Sequence, residues 1–256
     1  MPESDQALLK ACALEAGKIA RGFWREDPQV WDKGGDDPVS EADFAVDTYL
    51  RETLLAARPD YAWVSEETED DDARLSASHV FIVDPIDGTR AFVAGQKTWA
   101  HSLAVATDGQ ITAACVYLPV HDKMYLASLG EGATLNDAPI RASDRTALDG
   151  ASVLSPRITF QDRFWKGPVP DFDRNFRPSL AYRLAIVAEG RFDAMLTLRP
   201  AWEWDIAAGA LIATEAGASV TDRHGQPLRF NSPARQTPGA VVTAPGIHAA
   251  MIDALA

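Results

Sequence analysis

Apolar residues recur at helical spacing from Ser4 to about Trp24: Leu8, Leu9, Cys12, Ala13, Ala16, Ile19, Ala20 and Phe23 share one face. Ser4 is placed to cap that helix. Pro28, Gly34, Gly35 and Pro38 then break the period, so residues 25–38 read as a loop. Ser40 opens a second helix that runs to about Ala57, where Pro59 ends it. Its Ser40-Glu41-Ala42-Asp43 start resembles a capping box. From there the spacing changes to the alternation of strands. Tyr61–Val64, Val80–Val83, His101–Ala106, Ile111–Leu118 and Lys123–Ala127 read as short strands, with Asp108-Gly109 as a hairpin signal. The first half is therefore two helices followed by a mostly antiparallel sheet.

Residues 141–178 are irregular, with Pro156, Pro168, Pro170, Pro178 and scattered aromatics. They mark the expected boundary, between an α+β half over residues 1–145 and an α/β half over residues 146–256. In the second half Ser179–Glu189 reads as helix, Phe192–Leu198 as strand, Asp205–Ala216 as helix and Ala218–Thr221 as strand. Ala240–Thr243 reads as strand and Gly246–Ala256 as helix. Such alternation predicts an α/β layer arrangement.

Composition narrows the class. The 256 residues are 46% hydrophobic and 24% charged, enough apolar material for a sizeable core. Lys plus Arg number 24 against 37 Asp plus Glu, a formal charge of −13. That balance argues against a nucleic-acid polymer or an anionic membrane as partner, since both need a basic footprint. It also poses a problem for any anionic substrate. Cys12 and Cys115 are too few for a disulfide framework and read as buried thiols. The start Met1-Pro2-Glu3-Ser4-Asp5 lacks the basic region of a signal peptide, and no apolar run is long enough to span a membrane. The chain reads as soluble and cytoplasmic.

The chemistry concentrates in three places. Val80-Phe81-Ile82-Val83 delivers Asp84, and Asp84-Pro85-Ile86-Asp87-Gly88-Thr89 then makes a tight turn. Asp84 and Asp87 can converge on one point as hard oxygen ligands suited to Mg²⁺ or Mn²⁺. Past the turn, the amides around Gly88, Thr89 and Arg90 are free to meet an anion. Ser65-Glu66-Glu67 puts carboxylates at the end of another strand, and Asp205 opens a helix. Each acid alone reads as solvated surface or a helix cap. Glu66, Asp84, Asp87 and Asp205 together point to one cation site. The five histidines form no HExxH pair, and no Gly-x-Ser-x-Gly elbow, Walker A loop or complete Gly-x-Gly-x-x-Gly is present.

These residues carry a resemblance. Asp37-Pro38-Val39-Ser40-Glu41-Ala42-Asp43, Ser65-Glu66-Glu67, Asp84-Pro85-Ile86-Asp87-Gly88-Thr89-Arg90-Ala91-Phe92, and Trp204-Asp205-Ile206-Ala207-Ala208-Gly209 with Glu215-Ala216-Gly217 resemble the inositol monophosphatase superfamily in order and spacing. The fixed residues of Asp-Pro-x-Asp-Gly-Thr alone arise by chance in roughly one chain in ten thousand. The resemblance implies an α/β (α+β) fold, the layered αβαβα sandwich of the inositol monophosphatase and fructose-1,6-bisphosphatase type. It also implies a homodimer, an active site between the halves, and a lithium-sensitive phosphomonoesterase using two or three Mg²⁺. By the same resemblance, Glu66, Asp84 and the Ile86 carbonyl hold one ion. Asp84, Asp87 and Asp205 hold a second, and Glu66 assists a third through water. Thr89 orients the attacking water, Asp43 takes the proton of Thr89, and amides of Gly88 and Thr89 hold the phosphate.

For the substrate, a small phosphorylated metabolite, the resemblance leans to the bacterial 3′(2′),5′-bisphosphate nucleotidases. Seven residues before the metal Asp, where inositol phosphatases carry an acid that contacts sugar hydroxyls, stands Leu198. Arg183 falls near a Lys of the nucleotidase branch, as a second-phosphate contact or a helix-surface Arg. Ser179 is a substrate contact or a helix N-cap. Phe160, Phe164 and Trp165 stack on an adenine or pack between the halves. Inositol 1-phosphate, histidinol phosphate and fructose 1,6-bisphosphate remain alternatives. The rival from another class is a noncatalytic partner-binding protein on the same scaffold.

Overall fold

In the computed structural model, which describes residues 3–35 and 38–256, the two N-terminal amphipathic segments form the helices their periodicity demands. Met1, Pro2 and Asp37, the residue that opens the Asp-Pro-Val-Ser motif, lie outside the described residues. Helix α1 (Asp5–Phe23) starts at Ser4, whose hydroxyl accepts the Ala7 amide at 3.2 Å. The segment read as a loop contains a hairpin, β1 (Val30–Asp32) paired antiparallel with β2 (Pro38–Ser40). Its strands are three residues long, too short for alternation to show. Helix α2 (Glu41–Ala57) follows directly.

A seven-stranded sheet comes next, its strands side by side in sequence order. They are β3 (Ala62–Ser65), β4 (His79–Asp87), then after the short helix α3 (Thr89–Val93), β5 (Ala100–Thr107), β6 (Gln110–Leu118), β7 (Lys123–Ser128), β8 (Gly132–Leu135) and β9 (Ala138–Pro139). Only β3 with β4 is parallel. The second half contributes β10 (Ser152–Leu154), β11 (Asp173–Asn175), α4 (Leu180–Ala188), β12 (Ala194–Thr197), β13 (Ala201–Trp202), α5 (Glu203–Glu215), β14 (Ser219–Thr221), β15 (Gln236–Thr237), β16 (Ala240–Thr243) and α6 (His248–Ala254). Five of these strands form a second sheet in the order β11-β10-β12-β16-β14, and β13 pairs with β15.

Alternation along the strands explains the layering. On β4, Phe81 and Val83 join α1 and α2 in one core, while Val80 and Ile82 join α4 and α5 in another. The second sheet repeats the arrangement: Met195 and Val242 face α4 and α5, and Leu196 and Val241 face α6. The result is the αβαβα sandwich expected from the sequence. A sheet that is buried on both faces reads as a continuous apolar run. Trp165 and Phe172 are buried in the outer core, so the irregular segment is anchored by packing. Cys12 and Cys115 are buried and free. Among the described residues no helix is long and apolar enough to cross a membrane.

The middle layer is tight. A methyl group on Gly209 of α5 would come within 2.5 Å of Leu184 Cβ on α4. Helix propensity alone favours Gly209→Ala by about 1 kcal/mol. Overpacking opposes it by about 1–3 kcal/mol, because Leu184 Cβ cannot move without its helix. The expected outcome is net destabilisation of Gly209→Ala in urea unfolding monitored by circular dichroism; a gain in stability would contradict the close approach.

Candidate active site

The Asp84–Asp87 motif lies inside a strand rather than beyond one. β4 continues through Asp87, pairing Asp84 with Ser102 and Asp87 with Ala100 across a register irregularity. The irregularity turns both carboxylates to the same side, as bulges next to functional sites do. His101 of β5 pins this stretch, its Nδ1 donating to the Pro85 carbonyl. Burial holds the His101 pKa down at about 4, so the ring is neutral and keeps that donor.

Carboxylate oxygens of Asp84, Asp87 and Asp205 lie within 4.8 Å of one another. Asp84 is buried, and its Oδ1 has no hydrogen-bond partner among the described residues. An unpaired buried carboxylate oxygen beside two further acids is unfavourable unless a cation neutralises it. The donor set is all oxygen, which suits Mg²⁺ or Mn²⁺. Burial pushes Asp84 well above the usual carboxylate range, with Glu66, Asp87 and Asp205 adding to it. Burial likewise raises Asp205, assisted by Asp87 and Glu66.

Asp87 has a second duty. Its carboxylate accepts from the Ser179 hydroxyl at 2.6 Å and from the Leu180 and Ala181 amides at 3.1 and 2.6 Å. It thus sits on the N-terminus of α4, where a negative charge is favoured. Burial still outweighs these donors and raises its pKa to about 6. Ser179 is fully buried; its hydroxyl also caps α4, accepting the Tyr182 amide at 3.0 Å. Of the two readings of Ser179, the cap is the geometry present.

Asp43 and Thr89 meet from α2 and α3. Asp43 Oδ2 accepts the Ser40 amide at 2.9 Å and its hydroxyl at 2.5 Å, the back-bond of the expected capping box. Its other oxygen, Oδ1, is 3.2 Å from Thr89 Oγ1, which also reaches the Ile86 carbonyl at 3.0 Å. The hydroxyl has one proton for two acceptors. Burial raises Asp43 to about 6, against the two bonds from Ser40. Gly88, Thr89 and Arg90 line the cleft beside this pair. Gly88 has φ +96, a left-handed turn that favours glycine.

Glu66 faces the same cleft from the end of β3 but is held by Lys33, whose Nζ lies 2.9 Å from Glu66 and 2.7 Å from Glu67. Burial raises Glu67 to about 7 despite that contact. Asp47 of α2 anchors the corner by accepting the hydroxyls of Ser65 and Thr68. Lys33 was missed in the sequence because a lysine in a Gly-rich stretch has no periodicity to place it.

A further network that carries no motif fixes the start of α5, two residues before Asp205. Glu203, fully buried at the first position of α5, accepts the Asn231 and Ser232 amides at 2.6 and 2.9 Å and the Ser232 hydroxyl at 2.6 Å. Arg74 grips Asp70 through two nitrogens and reaches Asn231 at 2.6 Å. These bonds tie the loop before β15, the start of α5 and the first half together.

The cleft, about 700 Å³, is walled on the far side by Phe176, Arg183, Thr197, Arg199 and Trp202. Arg183 is buried and donates to the Arg177 and Pro178 carbonyls at 2.6 and 3.1 Å, while its guanidinium lies over Phe176. Leu198 belongs to the outer core and points away from the cleft. Its neighbour Thr197, at the end of β12, presents a side chain there instead. Leu198 therefore does not stand against a sugar hydroxyl, contrary to the expectation from its spacing to Asp205. Successive strand residues face opposite sides, so burial of Leu198 in the outer core turns Thr197 to the cleft.

Comparison with known proteins covers nearly the whole chain. The sequence model of the inositol monophosphatase family matches residues 2–255. The inositol-1-monophosphatase of Rhizobium meliloti is 38% identical over 88% of this chain and 88% of its own. The Nus factor SuhB of Vibrio cholerae is 36% identical over 85% of this chain and 84% of its own. Among solved structures, the extragenic suppressor protein SuhB of Bartonella henselae superposes with TM-score 0.80 at 29% identity, covering 96% of this chain and 95% of that one.

The raised acids have a measurable consequence. Asp43 and Asp87 have folded pKa values near 6, above their unfolded value near 3.9. The native state therefore binds more protons, and metal-free stability rises as pH falls from 7.5 toward 5. Thermal denaturation in chelator should show that rise, and saturating Mg²⁺ should raise the pH 7.5 value and flatten the dependence. Asp84→Asn should raise the metal-free melting temperature and abolish the stabilisation by Mg²⁺.

Proposed function

This chain belongs to the inositol monophosphatase family of metal-dependent phosphoric monoester hydrolases, and from that premise we propose that its cleft hydrolyses the phosphate ester of a small polyhydroxylated metabolite, inositol 1-phosphate foremost. The observation that carries the reading is the convergence of Asp84, Asp87 and Asp205 beside the Thr89–Asp43 pair. Bound Mg²⁺ lowers the pKa of water and neutralises charge on phosphoryl oxygens. Asp84, Asp87 and Asp205, with Glu66 and the Ile86 carbonyl, would hold two or three such ions.

The chain's own residues supply orientation. Thr89 Oγ1 accepts a hydrogen bond from the attacking water when its own proton is turned to Asp43 Oδ1. Asp43, raised to about 6 by burial, is placed to take that proton. The amides of Gly88 and Thr89, at the start of α3, have no acceptor within the helix and are available to phosphate oxygens. Thr197, on the wall facing the acids, offers a hydroxyl to the leaving sugar. That hydroxyl and the name of the Rhizobium relative support the inositol ester. A 3′(2′),5′-nucleoside bisphosphate is the second reading, favoured by Trp202, a partly exposed ring in the same wall as Arg183 and Arg199.

With Mg²⁺, inorganic phosphate should be released from inositol 1-phosphate and from adenosine 3′,5′-bisphosphate, and the larger kcat/KM decides between the readings. Millimolar Li⁺ should inhibit, and light scattering should report a homodimer. Thr89→Ala and Asp43→Asn should each lower kcat by about 10²–10⁴-fold with little change in KM. Unchanged turnover in Asp84→Asn and Asp205→Asn would overturn the metal mechanism, and absence of phosphate release from either ester would leave the noncatalytic reading standing.

A further inference from the structure

Arg183 stands one helical turn beyond Ser179. Its amide donates to the Ser179 carbonyl at 3.2 Å, and the Ser179 hydroxyl donates to Asp87. Residues four apart share a helix face, so the Arg183 side chain leaves α4 on the face that meets Asp87. The residue is 8% exposed and lines the same cleft as Glu66, Asp84, Asp87 and Asp205. This place is unfavourable for a cation on two counts. Burial strips water from the charge, and the N-terminal end of a helix carries the positive end of its dipole. Burial lowers the Arg183 pKa, and the charges of Asp87 and Asp205 act against that. Among the described residues Arg183 makes no direct ion pair with either acid. Neutral groups hold it instead. Its Nε and Nη2 donate to the Arg177 and Pro178 carbonyls, and the guanidinium rests 4.8 Å over the Phe176 ring. A charge fixed in this way neither swings onto the acids nor retreats from them.

We propose that Arg183 is the resident counter-charge of the acid cluster, a fixed cation that steadies Asp87 and Asp205 before a metal binds and thereby weakens the site's affinity for divalent cations. The inference rests on the reading of that cluster as a cation site. One positive charge offsets part of the four carboxylates without taking any of their oxygens, so the ligand atoms stay free for an incoming ion. The same charge repels that ion. Across several ångströms of partly buried protein, this repulsion corresponds to about a tenfold loss of divalent affinity. Arg183 is thus a positioning residue with two separable commitments. Its charge acts on the acids and on the metal, whereas its donors act on the backbone of Arg177 and Pro178.

Three substitutions separate the two. Arg183→Gln and Arg183→Met both remove the charge; Gln keeps an N–H donor for the carbonyls and Met does not. Arg183→Lys keeps the charge and loses the forked donors. The chelator-stripped chain is titrated with Mn²⁺ by calorimetry. Both neutral variants should bind Mn²⁺ about tenfold more tightly than wild type, and Arg183→Lys should stay within about twofold of it. Weaker or unchanged binding in the neutral variants, or an equal shift in all three, overturns the proposal, because loss of a backbone clamp loosens the site whatever the charge. A second measurement needs no metal. Asp205→Asn should raise the metal-free melting temperature more in an Arg183→Gln background than in wild type, since there it relieves repulsion without losing an attraction. Additive shifts overturn the counter-charge. Absence of Mn²⁺ binding by wild type would overturn the cation-site reading instead, and the melting cycle would still decide whether Arg183 balances the acids.

Discussion

The carboxylate of Asp87 ties the end of β4 to the N-terminus of α4 with three hydrogen bonds, and through them the first sheet to the layer of helices beneath it. The same carboxylate lies within reach of Asp84 and Asp205. A group with both duties cannot relax away from its neighbours. The acids are therefore held close although burial raises all three and acidic neighbours raise Asp84 and Asp205 further. A bound cation would relieve that stored electrostatic cost. Elsewhere the fold reinforces the arrangement: His101 holds the Pro85 carbonyl, Glu203 holds the start of α5, and the Gly209–Leu184 approach sets how far α5 sits from α4.

Charge is organised in two zones. The floor of the cleft is acidic and largely buried, while arginines stand on the wall opposite, Arg183 in the cleft and Arg157 and Arg174 beyond Phe176. The net charge of −13 therefore says little about the field a substrate meets. Bound cations would neutralise the floor, and the wall carries arginines without them. Both features favour a phosphate ester in a protein whose overall sign would repel it.

Sequence patterns exposed the fold unevenly. The helices α1 and α2 and the strands β4 to β7 were legible because each is long and strongly periodic, or buried on both faces. The hairpin β1–β2 and the strands β10 and β11 were not, because three-residue strands carry no period and sit among prolines. Candidate site residues divided in the same way. Asp84, Asp87 and Asp205 were found because turn and helix-start signals place them, and the structure brings them to one point. Lys33, Thr197 and Arg74 were missed, since nothing local marks them. Ser179 was found in the right place, with its role left open between substrate and cap.

Residue types and their order alone specify a layered α/β protein with an acidic, oxygen-donor site of the inositol monophosphatase kind. Those properties are local: a strand end, a Gly turn and a helix start each announce themselves within a few residues. What only the tertiary structure decided is which side chains face one another across the halves. Leu198 turned to the core and Thr197 to the cleft, Ser179 donated its hydroxyl to Asp87, and Arg183 came to line the cleft with the acids. Facing depends on strand register and layer spacing. Both are fixed by packing between distant segments, which a linear pattern does not encode.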